Sequence, residues 1–214
     1  MQNASVESAA AEWESQVGQW VAEAGIMNED VEAHVRAAFS RVDRREFLEQ
    51  QYRSRGLQDL DLPIEHGQWL LRPSVLIRFA GLINLKKRMR VLVAGAGSGY
   101  LCAVLNAAGA QVFGMESVGA LAQATRKRLD TLGYHGVVIQ RGDATKGWED
   151  AGPFDAIVVT YPVTDDLGLP LAQLSINGVL VVPVACEEGS ARITVWRRTL
   201  ESFKRTVFER IDVR

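Results

Sequence analysis

The feature that most constrains the fold is a short apolar segment that runs directly into alternating glycines. Residues 90–94 (RVLVA) are largely apolar and β-branched, and Gly95, Gly97 and Gly99 follow at once. Residues 101–109 then have the composition of a helix. A glycine-rich turn between a strand and a helix lets the backbone approach a ligand closely and directs helix N-terminal N–H groups toward it. The pattern therefore predicts a nucleotide-like ligand at the carboxyl end of this strand.

The spacing of these glycines favours one kind of ligand. A dinucleotide-binding fingerprint has the form G-x-G-x-x-G/A, which would put its last small residue at Tyr100. A tyrosine there would obstruct the close helix–strand packing that the third glycine permits. The pattern G-x-G-x-G is more usual for a ligand that places a ribose and an amino-acid group at this turn, without a pyrophosphate. The loop therefore favours S-adenosylmethionine and disfavours an NAD-dependent oxidoreductase.

Two acidic residues come at the ends of the next two predicted strands. Glu116 lies near the end of residues 111–117, and Asp143 precedes Ala144 in the exit turn of residues 137–144. The carboxyl ends of neighbouring parallel strands meet at one edge of a sheet. Glu116 could accept hydrogen bonds from both ribose hydroxyls, while Asp143 could accept from the adenine amine and the Ala144 amide could donate to a ring nitrogen. A strand-end surface glutamate and a simple Asx turn are the structural alternatives.

Apolar strands alternate with helical segments along most of the chain, which is typical of βαβ units and a parallel sheet. Strands are predicted at residues 90–94, 111–117, 137–144, 154–160 and 179–184, and helices at residues 101–109, 119–134 and 169–178, the last ending at Asn177-Gly178. Residues 190–198 and 205–213 have the pattern of two more strands without a helix between them, so the sheet should end in an antiparallel hairpin. The prediction is a doubly wound, Rossmann-like α/β fold.

The residues before the first strand predict helices that pack on the core. Helices are expected at residues 1–25, from the candidate N-cap Asn28 to Phe39 and at residues 74–85, with an ordered loop at residues 60–73. Residues 41–55 hold five arginines offset by acidic residues, which favours an ordinary solvent-exposed helix or turn. We expect a helical extension, residues 1–60, packed on residues 61–214 within one structural domain.

Composition narrows the classes of partner. The 214 residues hold 24 Lys and Arg against 26 Asp and Glu, so the chain lacks the basic footprint of a nucleic-acid binder. Cys102 and Cys186 have no metal-ligand spacing, and we expect buried free thiols in a reducing compartment, the cytoplasm. Because no signal-peptide pattern and no membrane-spanning apolar run occurs, we expect no secretion signal and no membrane partner.

Several motifs together resemble the protein-L-isoaspartate O-methyltransferase family. They are RVDRREFL (41–48), LPIEHGQ (62–68), RVLVAGAGSGY (90–100), PFDAIVVT (153–160) and GVLVVPV (178–184). The resemblance implies a methyltransferase sheet of about seven strands with an unusual order at its C-terminal edge. It also implies S-adenosylmethionine-dependent methylation of the side-chain carboxylate of isoaspartyl residues, which begins repair of a damaged protein or peptide.

The resemblance also assigns roles to single residues. The predicted cofactor site comprises Gly95, Ala96, Gly97, Gly99, Glu116, Asp143 and Ala144. His66, Gly67 and Gln68 would belong to a loop that covers cofactor and substrate. The predicted catalytic residues are His66 and Arg72, and the predicted substrate contacts are Trp69, Leu71 and Tyr161.

The chain departs from the family pattern directly after the HGQ motif. The family usually follows HGQ with Thr-Ile-Ser, where this chain has Trp69, Leu70 and Leu71, and its usual acidic residue before the glycine loop is Val93 here. A carboxylate acceptor is already ionised at neutral pH and needs no general base. Arg72 could hold such a carboxylate bidentately. A paralogue with another carboxylate acceptor and a non-catalytic S-adenosylmethionine-binding module are the alternatives.

Overall fold

The computed structural model of the protein describes residues 2–164, 167–187 and 189–212, with the side chains of residues 2–9 and 169 outside this description. The helices are α1 (Gln2–Glu23), α2 (Glu29–Ser40), α3 (Pro73–Leu82), α4 (Tyr100–Ala107), α5 (Gly119–Thr131) and α6 (Gly168–Ala172). The strands are β1 (Leu62–Pro63), β2 (Trp69–Leu70), β3 (Arg90–Ala94), β4 (Gln111–Glu116), β5 (Val137–Arg141), β6 (Phe154–Val159), β7 (Leu174–Glu187), β8 (Ser190–Arg198) and β9 (Phe203–Asp212). Position 213 of the predicted last strand lies outside the described residues.

Seven of these strands form one sheet in the order β5-β4-β3-β6-β7-β8-β9. Val91 of β3 lies in parallel register opposite Val112 of β4 on one side and opposite Ala156 of β6 on the other. The strand order thus builds outward from β3 in both directions, and a crevice forms at the carboxyl ends of β3 and β6. β8 and β9 add in antiparallel fashion. The doubly wound fold and its terminal hairpin are confirmed.

The sheet is buried on both faces, which explains the continuous apolar runs of its central strands. Val91 and Val93 belong to a buried cluster that includes residues from α1 to α5, whereas Leu92 and Ala94 belong to a second cluster with Phe154. Alternate residues of a strand point to opposite faces, so β3 contributes to both clusters. Among the described residues, no helix combines the length and apolarity needed to cross a membrane.

The N-terminal helices pack directly on this core, as the sequence predicts. One face of α1 is buried, and its residues are Trp13, Val17, Trp20 and Val21. The indole Nε1 of Trp13 donates to the backbone oxygen of Phe39 at 3.2 Å. Asn28 caps α2, because its side chain accepts from the Val31 amide. Tyr100, the first residue of α4, is fully buried and packs edge-on against Phe39 and Phe47. Its ring therefore joins α4 to the N-terminal segment.

The prediction of a helix at residues 169–178 is wrong over its second half. Helix α6 ends at Ala172, and β7 begins two residues later. Asn177 has a left-handed φ of 66°, and the register between β6 and β7 shifts in this region. A Cβ on Gly178 would lie 2.7 Å from the Ser175 carbonyl oxygen. The Asn-Gly pair therefore marks an irregularity in a strand. A left-handed residue followed by glycine is compatible with a β-bulge as well as with the end of a helix.

Only one of the two thiols is buried. Cys102 lies inside the core on α4, whereas Cys186 near the end of β7 is exposed. Both are free, but the prediction that both are buried is wrong for Cys186. Cys186 lies two residues beyond Val184, where the buried apolar run of β7 ends.

Candidate functional site

The glycine loop adopts a backbone that only glycine adopts readily. Gly95, Gly97 and Gly99 have φ values of 86°, 54° and 89°, all in the left-handed region. The amides of Gly95 and Ala96 both donate to the Met115 carbonyl oxygen at 2.9 Å, which ties the loop to the end of β4. These two N–H groups are therefore hydrogen-bonded within the protein.

Glu116 connects the end of β4 to the same loop. Its side chain is buried, with 5% of the residue exposed, and one carboxylate oxygen accepts from the Gly97 amide at 3.0 Å. The other oxygen accepts from the Val118 amide at 2.9 Å. The Ser117 hydroxyl donates to this second oxygen at 3.5 Å. A carboxylate has about four acceptor sites, so these three bonds still leave capacity for a ligand. Glu116 is thereby held in a fixed orientation at the strand end.

Asp143 occupies the equivalent place after β5. Its Oδ1 accepts from both the amide and the hydroxyl of Thr145, at 3.0 and 2.6 Å. These bonds lower the pKa of the exposed Asp143 carboxyl below its usual range, because they favour the charged form. Both bonds end on one oxygen, and the second oxygen can accept from a ligand. Asp143 therefore forms an Asx turn through one oxygen and keeps the other at the predicted binding position, so the two interpretations are compatible.

Tyr161 follows β6 and closes this side of the site. Burial raises the pKa of its phenol, and the negative charges of Asp143 and Glu116 raise it further. The neighbouring Thr160 hydroxyl donates to the Gly95 carbonyl oxygen at 2.6 Å. Residues after β3, β4, β5 and β6 are thus brought to one place.

A short hairpin lies over the glycine loop. β1 and β2 pair Leu62 with Leu70 and Pro63 with Trp69, and this pairing places Gln68 and Trp69 toward the site. A Cβ on Gly97 would lie 3.4 Å from the Ile64 side chain, so the hairpin and the loop are in close contact. Trp69 keeps 39% of its surface exposed.

These elements enclose one cavity of about 350 Å³ at the carboxyl edge of the sheet. It is lined by Gln68, Trp69, Gly95, Gly97, Glu116, Ser117, Asp143, Ala144, Thr145, Thr160 and Tyr161. Carboxylates, hydroxyls and aromatic rings are present, while none of the described lining residues is cationic. This lining suits a cationic or neutral ligand better than a phosphate.

Some predicted site residues lie outside this lining. Ala96 and Gly99 shape the loop without facing the cavity, and His66 is exposed at the hairpin tip with a left-handed φ of 61°. Leu71 packs partly buried against the core. The Arg72 guanidinium donates to the Asp212 backbone oxygen at 2.9 Å and lies 3.7 Å from the Asp61 carboxylate. These contacts do not support Arg72 as an acceptor anchor, so that role stays a prediction.

Arg44 was missed by the sequence analysis, which treated its segment as ordinary surface. The residue is fully buried, and its guanidinium donates to the backbone oxygens of Gln58, Leu60, Leu70 and Leu71. Burial lowers its pKa to about 10, which leaves it protonated at neutral pH. Arg44 therefore joins the segment before β1 to the end of β2, at the base of the hairpin. Residues 41–55 contain five arginines, and the charge pattern alone does not show which of them is buried.

The chain is a doubly wound α/β protein with its switch point between β3 and β6, and the Glu116 and Asp143 carboxylates lie at the ends of the adjacent strands β4 and β5. This architecture is typical of nucleotide-binding α/β proteins. Residues 19–211 match the family model described as protein-L-isoaspartate(D-aspartate) O-methyltransferase. The chain is 39% identical over 166 residues to the protein-L-isoaspartate O-methyltransferase of Gloeobacter violaceus, covering 77% of this chain and 80% of that protein. The chain belongs to the protein-L-isoaspartate O-methyltransferase family.

Solved structures agree on the fold. A protein-L-isoaspartate O-methyltransferase structure superposes with a TM-score of 0.79 at 22% identity, covering 94% of this chain and 65% of that one. A Plasmodium falciparum protein assigned to the same activity, solved in complex with S-adenosyl-L-homocysteine, superposes with a TM-score of 0.76 at 21% identity. That match covers 94% of this chain and 96% of the other. The observed architecture is thus that of the family.

Proposed function

We propose that this protein is an S-adenosylmethionine-dependent O-methyltransferase that methylates the side-chain carboxylate of isoaspartyl residues in proteins or peptides. The observation that carries the proposal is the cavity flanked by Glu116 and Asp143 beneath the hairpin, in a chain of this family. The cytoplasmic location expected from the free cysteines is part of the same proposal.

The residues present fit the proposed cofactor. Glu116 has acceptor capacity for a ribose diol, and Asp143 has an oxygen for an exocyclic amine. The cationic sulfonium is attracted by two carboxylates, whereas a pyrophosphate would meet the same charges without a cationic partner in the described lining. The Gly97 backbone and Tyr161 would flank the remainder of the molecule. When bound, the cofactor supplies an electrophilic methyl group for the acceptor oxygen.

The protein's own contribution to such a transfer is orientation. An acceptor carboxylate is ionised at neutral pH, so the site needs no base to activate it. Holding two reactants in the productive geometry can supply roughly 7–11 kcal/mol of a barrier. Gln68 and Trp69, carried by the hairpin, line the cavity. In this proposal they would hold the acceptor and limit access of water.

A specific observation favours a second candidate, the same transfer to a different carboxylate. Trp69 replaces a usual hydroxyl residue in the cavity lining and presents a large aromatic surface there. An acceptor with an apolar group beside its carboxylate would gain contact area from this side chain. The proposed isoaspartyl acceptor would instead rely on backbone and Gln68 contacts.

The two candidates are separated by one assay. The protein is incubated with methyl-labelled S-adenosylmethionine and one of three acceptors: an isoaspartyl peptide, the same peptide with normal aspartate, or an apolar carboxylic acid. We expect base-labile methyl ester on the isoaspartyl peptide only. No ester on that peptide, together with esterification of apolar carboxylic acids, would assign the second function instead.

A further inference from the structure

We propose that Arg128 is a positioning residue, which couples the glycine loop to the acceptor hairpin through an ion pair with Glu65. The inference rests on the proposed function for its link to catalysis, but the coupling itself is a property of the free protein. Neither residue lines the cavity, so their effect on a ligand would be indirect.

The contacts of Arg128 join two parts of the site. From α5, its Nη1 donates to the Ser98 carbonyl oxygen of the glycine loop at 3.0 Å. Its Nη2 forms a short ion pair with the Glu65 carboxylate at the hairpin tip. A planar guanidinium can make both contacts at once, which a lysine ammonium does with less geometric control.

The same helix holds the glycine loop at a second point. The Thr125 hydroxyl donates to the Gly97 carbonyl oxygen at 2.5 Å, one helical turn before Arg128. Two side chains of α5 therefore fix consecutive carbonyl groups of the loop. The Glu65 pair extends this rigid support from the cofactor side to the acceptor side.

The hairpin needs such support because its own pairing is minimal. β1 and β2 contribute two residues each, and an isolated two-stranded hairpin is marginal in water. Its tip contains left-handed His66 and Gly67, so the backbone there is held in a conformation that is unfavourable for histidine. Arg44 secures the base of the hairpin, and the Glu65 pair is positioned to secure the tip.

Partial exposure of the pair sets the expected size of the effect. The Arg128 and Glu65 side chains are 19% and 30% exposed. An ion pair of this kind contributes modestly and is screened by salt. We therefore expect changes of about two- to fivefold in local opening, not loss of the fold.

The test compares Glu65→Gln, Arg128→Met and their double variant by amide hydrogen exchange in the free protein. We expect the Ile64 and Gln68 amides to exchange about two- to fivefold faster in each single variant. The double variant should exchange no faster than Arg128→Met, because the pair is already lost. Glu32→Gln, which breaks the partly exposed Arg36–Glu32 pair on α2, is the matched control and should leave the hairpin unchanged.

Steady-state kinetics then separate positioning from general destabilisation. Glu65→Gln should raise KM for the isoaspartyl peptide with little change in KM for S-adenosylmethionine. Arg128→Met also removes the hydrogen bond to the Ser98 carbonyl oxygen, so it should raise both KM values. Unchanged hairpin exchange in Glu65→Gln would overturn the inference. If the wild-type protein methylates no isoaspartyl peptide, the proposed function fails, and the exchange comparison still decides the coupling.

Discussion

Burial controls the protonation of Cys102. The thiol lies in the core, and desolvation raises its pKa from 9.0 to about 12. Between these values the unfolded chain has released the proton while the folded chain retains it. Stability from this residue is therefore complete below pH 9 and is lost as the pH rises above it.

This shift predicts the alkaline stability profile. Within that pH range Cys102 should reduce the free energy of unfolding by up to about 1.4 kcal/mol per pH unit. Cys102→Ala should give a shallower decline between pH 9 and pH 11 in urea denaturation, whatever its effect at pH 7. Cys186→Ala, at the exposed thiol, should keep the wild-type slope. Equal slopes for Cys102→Ala and the wild type would contradict the assignment.

Single residues differ in how far the sequence predicts them. The positions of Glu116 and Asp143 could be predicted because each follows an apolar strand, and parallel strands end at one edge. Arg44 could not, because its burial depends on carbonyl groups contributed by residues 58–71. The size of Tyr100 argued against a dinucleotide turn, but its burial could not be predicted, because its aromatic contacts come from residues far away in sequence.

In the proposed function, the acceptor side of the site depends on the hairpin. Its two strands pair over only four residues, and its base is held by the Arg44 guanidinium. A buried cation that donates to several carbonyl groups contributes more than a surface ion pair, because its removal leaves those groups without a partner.

Arg44→Met should therefore lower the free energy of unfolding by about 3 kcal/mol. The neighbouring Arg45 pairs with Asp43 at a partly exposed position, so Arg45→Met should cost less than about 1 kcal/mol. Urea denaturation of the two variants measures the difference. Equal losses would mean that the Arg44 contacts contribute no more than a surface pair.

The bounds of the strands show which parts of the fold the local sequence pattern can predict and which it cannot. The strands β3, β4 and β6 were predicted within one or two residues, because continuous β-branched runs identify buried strands. The first residues of β7, 174–178, were misassigned to a helix. Leu-rich residues followed by Asn-Gly are compatible with a helix and its C-cap as well as with a bulged strand. Pairing of β7 with β6 decides between them, and periodicity contains no information on pairing partners.

At the scale of the whole molecule, one buried cluster joins the N-terminal helices to the sheet. It contains Trp20 and Val17 of α1 together with Val91 and Val112 of the central strands. The order of the last strands could not be derived from pattern, but the antiparallel addition of β8 and β9 follows from the lack of a crossover helix.

A shared core predicts cooperative unfolding. Calorimetry should record one transition for the intact chain, and Trp20→Ala should lower its midpoint through a loss of about 3–5 kcal/mol. Met27→Ala, at a fully exposed position in the same region, should leave the midpoint unchanged. A separate early transition in Trp20→Ala would indicate that the helices unfold independently of the sheet.

The central claim is that the cavity between Glu116 and Asp143 holds the cofactor, and titration calorimetry with S-adenosyl-L-homocysteine tests it most directly. The wild-type protein should bind one equivalent, and Glu116→Gln should weaken binding by about ten- to a hundredfold, because charged acceptors contribute about 1.5–3 kcal/mol. The exposed Glu149→Gln, outside the cavity, should bind as the wild type does. Absence of binding to the wild type, or wild-type affinity in Glu116→Gln, would contradict the claim.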